Sequence, residues 1–194
     1  GYLFVHRFRW RGVIVAGAVI AAAGVVISQL PGIPVMARYS DGIKEVQNWQ
    51  YGNNDQSSMG LRMQYAATSL RIIADHPLIG VGTGGFAHAY DQQIAGTAAQ
   101  PSNNPHNQYL LTTAQLGVPG LILLLAMFVI LWRTARRLPP AEQLLARGLV
   151  LAYLVGNLFN SFLLDHTEKL LFAWAIGLLY SGLPARGQNA DHAK

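Results

Sequence analysis

The chain has no cysteine among its 194 residues, which excludes disulfides and thiol chemistry and leaves the compartment open. It is also short of charge. Only 12% of its residues are Asp, Glu, Lys or Arg, about half the fraction usual in a soluble domain. It lacks a GxSxG nucleophile elbow, so a serine triad is a weak reading. It lacks HxxxH, HExxH or similar spacing, so a metal held by His76, His88, Asp91 and His106 is also a weak reading, and no metal or other cofactor is expected. No signal peptide is evident, because the first apolar run has no small-residue cleavage site before Pro31. The chain does not begin with Met and is expected to be the C-terminal part of a longer polytopic protein.

What the chain does have is apolar residues, 52% of the total, and they are clustered in runs. That places it in a membrane class rather than around a large soluble core. The net charge of +5 is unevenly spread. Arg7, Arg9 and Arg11 precede the first run, and Arg133, Arg136, Arg137 and Arg147 sit between two later ones. The long polar stretch between them carries four basic residues (Arg38, Lys44, Arg62, Arg71) against five acidic ones (Asp41, Glu45, Asp55, Asp75, Asp91). The basic excess therefore reads as membrane topology, and no nucleic-acid partner is expected.

The fold class expected is all-α: a polytopic membrane protein with four transmembrane helices, about 12–30, 109–132, 148–164 and 170–184, and a large helical outer loop over 31–108. Residues 1–194 are read as part of one integral membrane domain. Gly12 to Leu30 is uncharged, and its length of about 28 Å as a helix matches one hydrocarbon thickness. Trp10 stands at its basic end, where an interfacial ring belongs, and Pro31 and Pro34 end it. The run from Tyr109 to Trp132 is interrupted by Gly117-Val118-Pro119-Gly120, read as a kink, with two shorter helices meeting at Gly117 as the alternative. In the third run Gly148, Ala152, Gly156 and Asn160 recur every four residues, and in the fourth Ala173, Gly177 and Ser181 do. Both patterns read as close-packing faces, and Asn157, Asn160 and Ser161 read as interhelical packing. Residues 133–147 form a short basic, cytoplasmic link, and Asp165 to Lys169 a tight turn on the outer side. In a bacterial inner membrane that outer side is the periplasm. No strongly charged residue falls mid-span, which weakens an ion-coupled transporter reading.

Any activity then belongs to the outer loop, above all to Ser57–Leu110. Ser58 is a good N-cap for a helix to about Asp75. Met59, Met63, Ala66, Leu70 and Ile73 form an apolar stripe, and Gln64, Thr68, Arg71 and Asp75 face the other way. Arg71 and Asp75 read as a solvated i,i+4 ion pair. Arg62 borders the apolar stripe beside Tyr65, where a partly buried guanidinium needs an anionic partner, unless the side chain simply snorkels. Gly80 to Gly85 formally matches GxGxxG, but a helix and Pro77 precede it rather than a strand. A tight turn with close backbone approach is the better reading, and its amides could form an anion-binding nest. Phe86 to Ile94 reads as a short helix. Asn104 and Pro105 read as N-cap and N1 of the next one, with His106, Asn107 and Gln108 in its first turn.

A helix start disfavours an imidazolium, and a neutral imidazole can accept a proton from a hydroxyl. Free amides there attract anions, and an Arg fork binds phosphate. Together His106 and Arg62 suggest attack by a hydroxyl on a substrate with a phosphate leaving group. The plainer reading of His106 is a capping or interfacial histidine.

Gly60-Leu61-Arg62, Tyr65, His76-Pro77-Leu78-Ile79-Gly80-Val81-Gly82-Thr83-Gly84-Gly85-Phe86, Pro105-His106-Asn107-Gln108-Tyr109-Leu110 and Leu116-Gly117-Val118-Pro119-Gly120 occur in this order. The combination, over about residues 57–183, resembles the O-antigen ligase superfamily. That superfamily also holds O-antigen polymerases and bacterial protein O-oligosaccharyltransferases. The resemblance implies a GT-C-like, metal-independent, inverting glycosyltransferase of the inner membrane with its active site facing the periplasm. Its donor would be an undecaprenyl-diphosphate-linked glycan and its acceptor, for a ligase, the lipid A–core oligosaccharide. It implies that Arg62 holds the donor diphosphate and that His106 activates the acceptor hydroxyl, with Tyr65, Asn107 and Gln108 as further substrate-binding residues. A second diphosphate-binding Arg comes from an earlier outer loop in the family, and Arg38 is not given that role. The reading from another class is a lipid-linked-sugar transporter or a membrane scaffold, which would place polar residues along its spans rather than in one loop.

Overall fold

The computed structural model describes residues 35–52 and 57–183, together with helical positions 18, 19, 22, 25 and 26. The expected first span otherwise lies outside the described residues, as do the basic residues before it and the tail from Arg186. Six α-helices are described: α1 (Val35–Asn48), α2 (Ser58–Asp75), α3 (Phe86–Ile94), α4 (Gln108–Thr134), α5 (Pro140–Gly156) and α6 (His166–Tyr180), with a 3-10 turn (Ala135–Arg137) after α4. No strand occurs among the described residues, so the all-α expectation holds there. Within the stretch 31–108, expected to be a helical loop, the first described helix is α1.

Gln108–Arg137 is the one described helical stretch long and apolar enough to cross a membrane. α5 and α6, of 17 and 15 residues, are near the short end of the roughly 17–25 residues that spans use. Their positions correct the expected third and fourth spans. α5 starts at Pro140, which has no N–H to waste at a helix start, and ends at Gly156 rather than 164. The basic link is accordingly only 135–139. α6 starts at His166 behind Asp165, with Glu168 in its first turn, where an acidic residue suits the dipole. Of the expected small-residue faces, Gly156 packs on Phe162, whose ring lies 2.1 Å from where a Cβ would stand, whereas Gly148 and Gly177 face open space.

α4 is broken at Gly117 (φ 68°, ψ −170°), so two helical segments meeting there is the correct description. Pro119 has no N–H to give the carbonyl of Gln115. The Gly82 amide supplies it instead, at 2.9 Å. Val81 N–H likewise donates to the Ala114 carbonyl, and Val118 N–H donates back to the Pro77 carbonyl. This exchange brings two backbones into contact. A Cβ at Gly80 would lie 2.4 Å from the Gln115 carbonyl carbon, and one at Gly117 would lie 2.3 Å from the Leu78 oxygen. The glycine cluster is thus the tight turn expected. The amides of Gly80, Val81, Gly82 and Gly85 are spent on His76, on α4 and on Gly82, so these four are not offered to an anion.

The break also redirects the chain. Along a straight helix Tyr109 and Leu124 would be about 22 Å apart. Here both join one core with Phe128, Val150, Tyr153 and Phe172, and the Tyr109 hydroxyl donates to the Leu154 carbonyl at 2.7 Å. A second core, of Ile72, Phe86, Tyr90, Ile94, Leu111 and Ala114, ties α2 and α3 to the first segment of α4.

α2 keeps the expected orientation at Arg71 and Asp75, which are exposed, and departs from it elsewhere. Gln64, Thr68, Ser69 and Ile72 are buried, while Met59 and Leu70 of the apolar stripe are 40% and 56% exposed. The buried polar groups find partners both within the helix, where Ser69 donates to the Tyr65 carbonyl, and outside it. Gln64 accepts from the Gly52 amide at 3.0 Å and donates to Thr68, which hydrogen-bonds the Tyr51 hydroxyl at 3.4 Å. Periodicity alone could not see these partners. Arg71 and Asp75 do not form the expected pair: the guanidinium lies 3.6 Å from the Tyr51 ring centre, and the carboxylate accepts from Gln93.

Candidate functional site

The site grows from the turn between α5 and α6, residues 157–165, onto which α2 and the start of α4 are fastened. Ser57, not Ser58, caps α2, accepting from the Gly60 amide at 3.0 Å. Arg62 then falls one turn into the helix, and its Nη1 donates to the Phe159 carbonyl at 3.0 Å. The side chain is exposed rather than partly buried. It also lines a cleft of about 360 Å³ with Asp41, Gly42, Glu45, Ser58 and Met59. Asp41 there pairs with Lys44 at 3.9 Å.

At the other wall, Asn107 is the N-cap of α4, accepting from the Leu110 amide at 3.0 Å. The expected first-turn placement of His106, Asn107 and Gln108 is therefore corrected: α4 begins at Gln108, and His106 precedes the cap. Asn104 acts as a loop clamp, not a helix cap. Its Oδ1 accepts from the His106 amide and from the Ser161 hydroxyl, both at 2.8 Å. The clamp holds His106 at φ 52°, the left-handed region. That conformation costs a β-carbon-bearing residue about 1–2 kcal/mol.

The His106 ring is exposed and held on two sides. Its centroid lies 5.7 Å from that of Tyr65, tilted by 37°. Its Nδ1 lies 3.1 Å from Asn160 Oδ1, and Asn160 Nδ2 donates to Asp165 Oδ2 at 2.7 Å. Tyr65 itself rests on Tyr90. Burial pushes the Tyr90 hydroxyl up to about 12, and that hydroxyl makes no hydrogen bond of good geometry.

The structure thus brings together all five residues singled out in the sequence, with different duties. Arg62, Tyr65 and His106 present side chains at the site. Asn107 donates to the Leu158 carbonyl at 3.1 Å while capping α4. Gln108 is buried, accepts from the Leu163 amide at 3.0 Å and donates to Thr112. Both therefore brace the turn. His88 sits apart, against Gln92. No group of three or more His, Cys, Asp or Glu poised for a metal occurs among the described residues.

Asn160, Ser161 and Asp165 did not stand out as site residues in the sequence. They sit among Leu158, Phe159, Phe162, Leu163 and Leu164, and the apolar run masks the turn. The available signal was three amide or hydroxyl side chains within five positions, Asn157, Asn160 and Ser161, with the carboxylate of Asp165 four positions later.

With this geometry in hand, comparison with known proteins can be read: residues 1–125 match the family described as O-antigen ligase. The match takes in Arg62, Tyr65, His106, Asn107 and Gln108, and ends before Asn160 and Asp165. No curated protein matches the chain. The chain belongs to the O-antigen ligase family, which is associated with glycosyltransferase-like ligases and polymerases acting in a membrane context on lipid-linked glycans.

Proposed function

Taking that family membership as the premise, we propose that the protein is a ligase-type glycosyltransferase. It moves O-antigen glycan from undecaprenyl diphosphate to the lipid A–core oligosaccharide, with inversion and without a metal. Residues 1–194 form part of a multi-pass, GT-C-like inner-membrane domain, with four spans in this stretch and the site facing the periplasm. One observation carries the reading: Arg62 and His106 converge on adjacent residues, Phe159 and Asn160.

The chemistry follows from what each group can do. Neutral His106 accepts the proton of the acceptor hydroxyl through Nε2, the ring nitrogen that Asn160 leaves open. The hydroxyl oxygen forms a bond to the anomeric carbon as the bond from that carbon to the diphosphate oxygen breaks. The electron pair leaves with the diphosphate, and the Arg62 guanidinium stabilises the charge that develops there. Tyr65 holds the ring of His106 and offers a flat face to a sugar.

The test is transfer by full-length protein in proteoliposomes, with an undecaprenyl-diphosphate glycan and separated acceptors. Product on lipid A–core supports the ligase. Elongation on the polyprenyl carrier would instead make it a polymerase, and product on polypeptide a protein O-oligosaccharyltransferase. Flipping of the donor without transfer would sink the enzyme reading in favour of transport.

A further inference from the structure

Building on His106 as the base, we propose that Asn160, oriented by Asp165, is a positioning residue that fixes which nitrogen of the His106 ring carries the proton. Both residues lie beyond the part of the chain that the family match covers.

The argument is one of donors and acceptors. A carboxylate only accepts, so the Asn160 end facing Asp165 at 2.7 Å must be its NH2. The carbonyl end is then the one 3.1 Å from His106 Nδ1. A carbonyl also only accepts, so Nδ1 must carry the proton, and the lone pair is left on Nε2. In water the neutral ring favours the opposite tautomer, with the proton on Nε2, which could not act as a base from that atom. The position of the ring is set independently of Asn160. Its own backbone amide is clamped by Asn104, whose Oδ1 also holds Ser161 in the same turn, and Tyr65 lies along its face. Asp165 never touches the ring. Its charge acts by aligning an amide, and that alignment persists when His106 takes up a proton, because an imidazolium still donates from Nδ1.

The experiment reads the tautomer directly. Full-length protein with 15N-labelled histidine is placed in nanodiscs, and the His106 ring signals are assigned by their loss in His106→Gln. The expected wild-type spectrum has the proton on Nδ1. Asp165→Asn keeps the shape but puts a group there that both donates and accepts, so Asn160 can turn round and a mixture of tautomers should appear. Asn160→Leu should release the ring entirely. Both variants should lower kcat about tenfold or more, short of the 10²–10⁴ that a lost base costs, with KM for both substrates little changed. A wild-type ring protonated on Nε2 overturns the proposal, whether or not either variant folds, and so does a tautomer unmoved in both variants. If the tautomer shifts as expected but wild-type protein transfers no glycan, the positioning assignment stands and the transferase reading falls.

Discussion

Arg62 and His106 are 44 positions apart in sequence, yet they are fastened to consecutive residues of one turn. Arg62 donates to the carbonyl of Phe159, and the ring of His106 meets the side chain of Asn160. A guanidinium fork and a candidate base are thereby held at a fixed spacing by a nine-residue segment, 157–165, that contains neither.

His106→Ala should reduce transfer about 10²–10⁴-fold, the range for loss of a general base. The protein should still insert and fold, because the clamp on residue 106 uses the backbone amide. Transfer rates beside thermal unfolding in detergent check this, and a variant with near-normal rates would remove His106 from the chemistry.

Arg62→Ala should weaken donor use more than acceptor use. Arg62→Lys should recover part of it, since it keeps the charge and loses the planar fork. The KM for the polyprenyl-linked donor, measured against that for the acceptor, is the readout. A Lys variant indistinguishable from wild type would mean that charge alone suffices.

Gly80→Ala and Gly117→Ala should each destabilise the protein by more than the 1–2 kcal/mol typical of a forced left-handed residue. The added Cβ would meet a backbone carbonyl at 2.4 Å or 2.3 Å, and backbone cannot swing aside. Gly82→Ala is the control: its φ is also positive, but nothing stands within 4 Å of its Cβ. Its loss in thermal stability should be clearly smaller.

The Tyr90 hydroxyl gives a pH signature. Its folded value, about 12, lies above the 10.0 of a free tyrosine, because burial disfavours the phenolate. The stability it confers is complete below pH 10 and is lost as pH rises from there toward 12. Tyr90→Phe removes this loss, and no hydrogen bond of good geometry is broken by it. The variant should match wild type at neutral pH and unfold later in an alkaline titration followed by circular dichroism.

The local signals in the sequence were dependable where the partners were local. α3 runs from Phe86 to Ile94 as expected, and α2 ends at Asp75 before Pro77. Arg62 and His106 were visible as chemistry-bearing residues in an otherwise quiet loop. Distant partners decided the rest. α2 turns Gln64 and Thr68 inward because Gly52 and Tyr51 satisfy them. Asn107, rather than Asn104, caps α4 because Asn104 is occupied by the His106 amide and by Ser161. Asn160 read as a packing residue because nothing in an apolar run announces that the helix has already stopped at Gly156.

The exchange of backbone groups between the glycine turn and the broken helix bears on how the protein is assembled. Until Val81 and Gly82 arrive, the carbonyls of Ala114 and Gln115 lack their partners, and until α4 has broken at Gly117, Val118 has no amide to offer Pro77. Each half therefore completes the other, and neither is a finished unit alone. A single inserted or deleted residue in either strip would shift three hydrogen bonds together. The register between residues 77–82 and the apolar helix α4 is thus set by a lock that tolerates no slippage, and the position of the site along that helix is set with it.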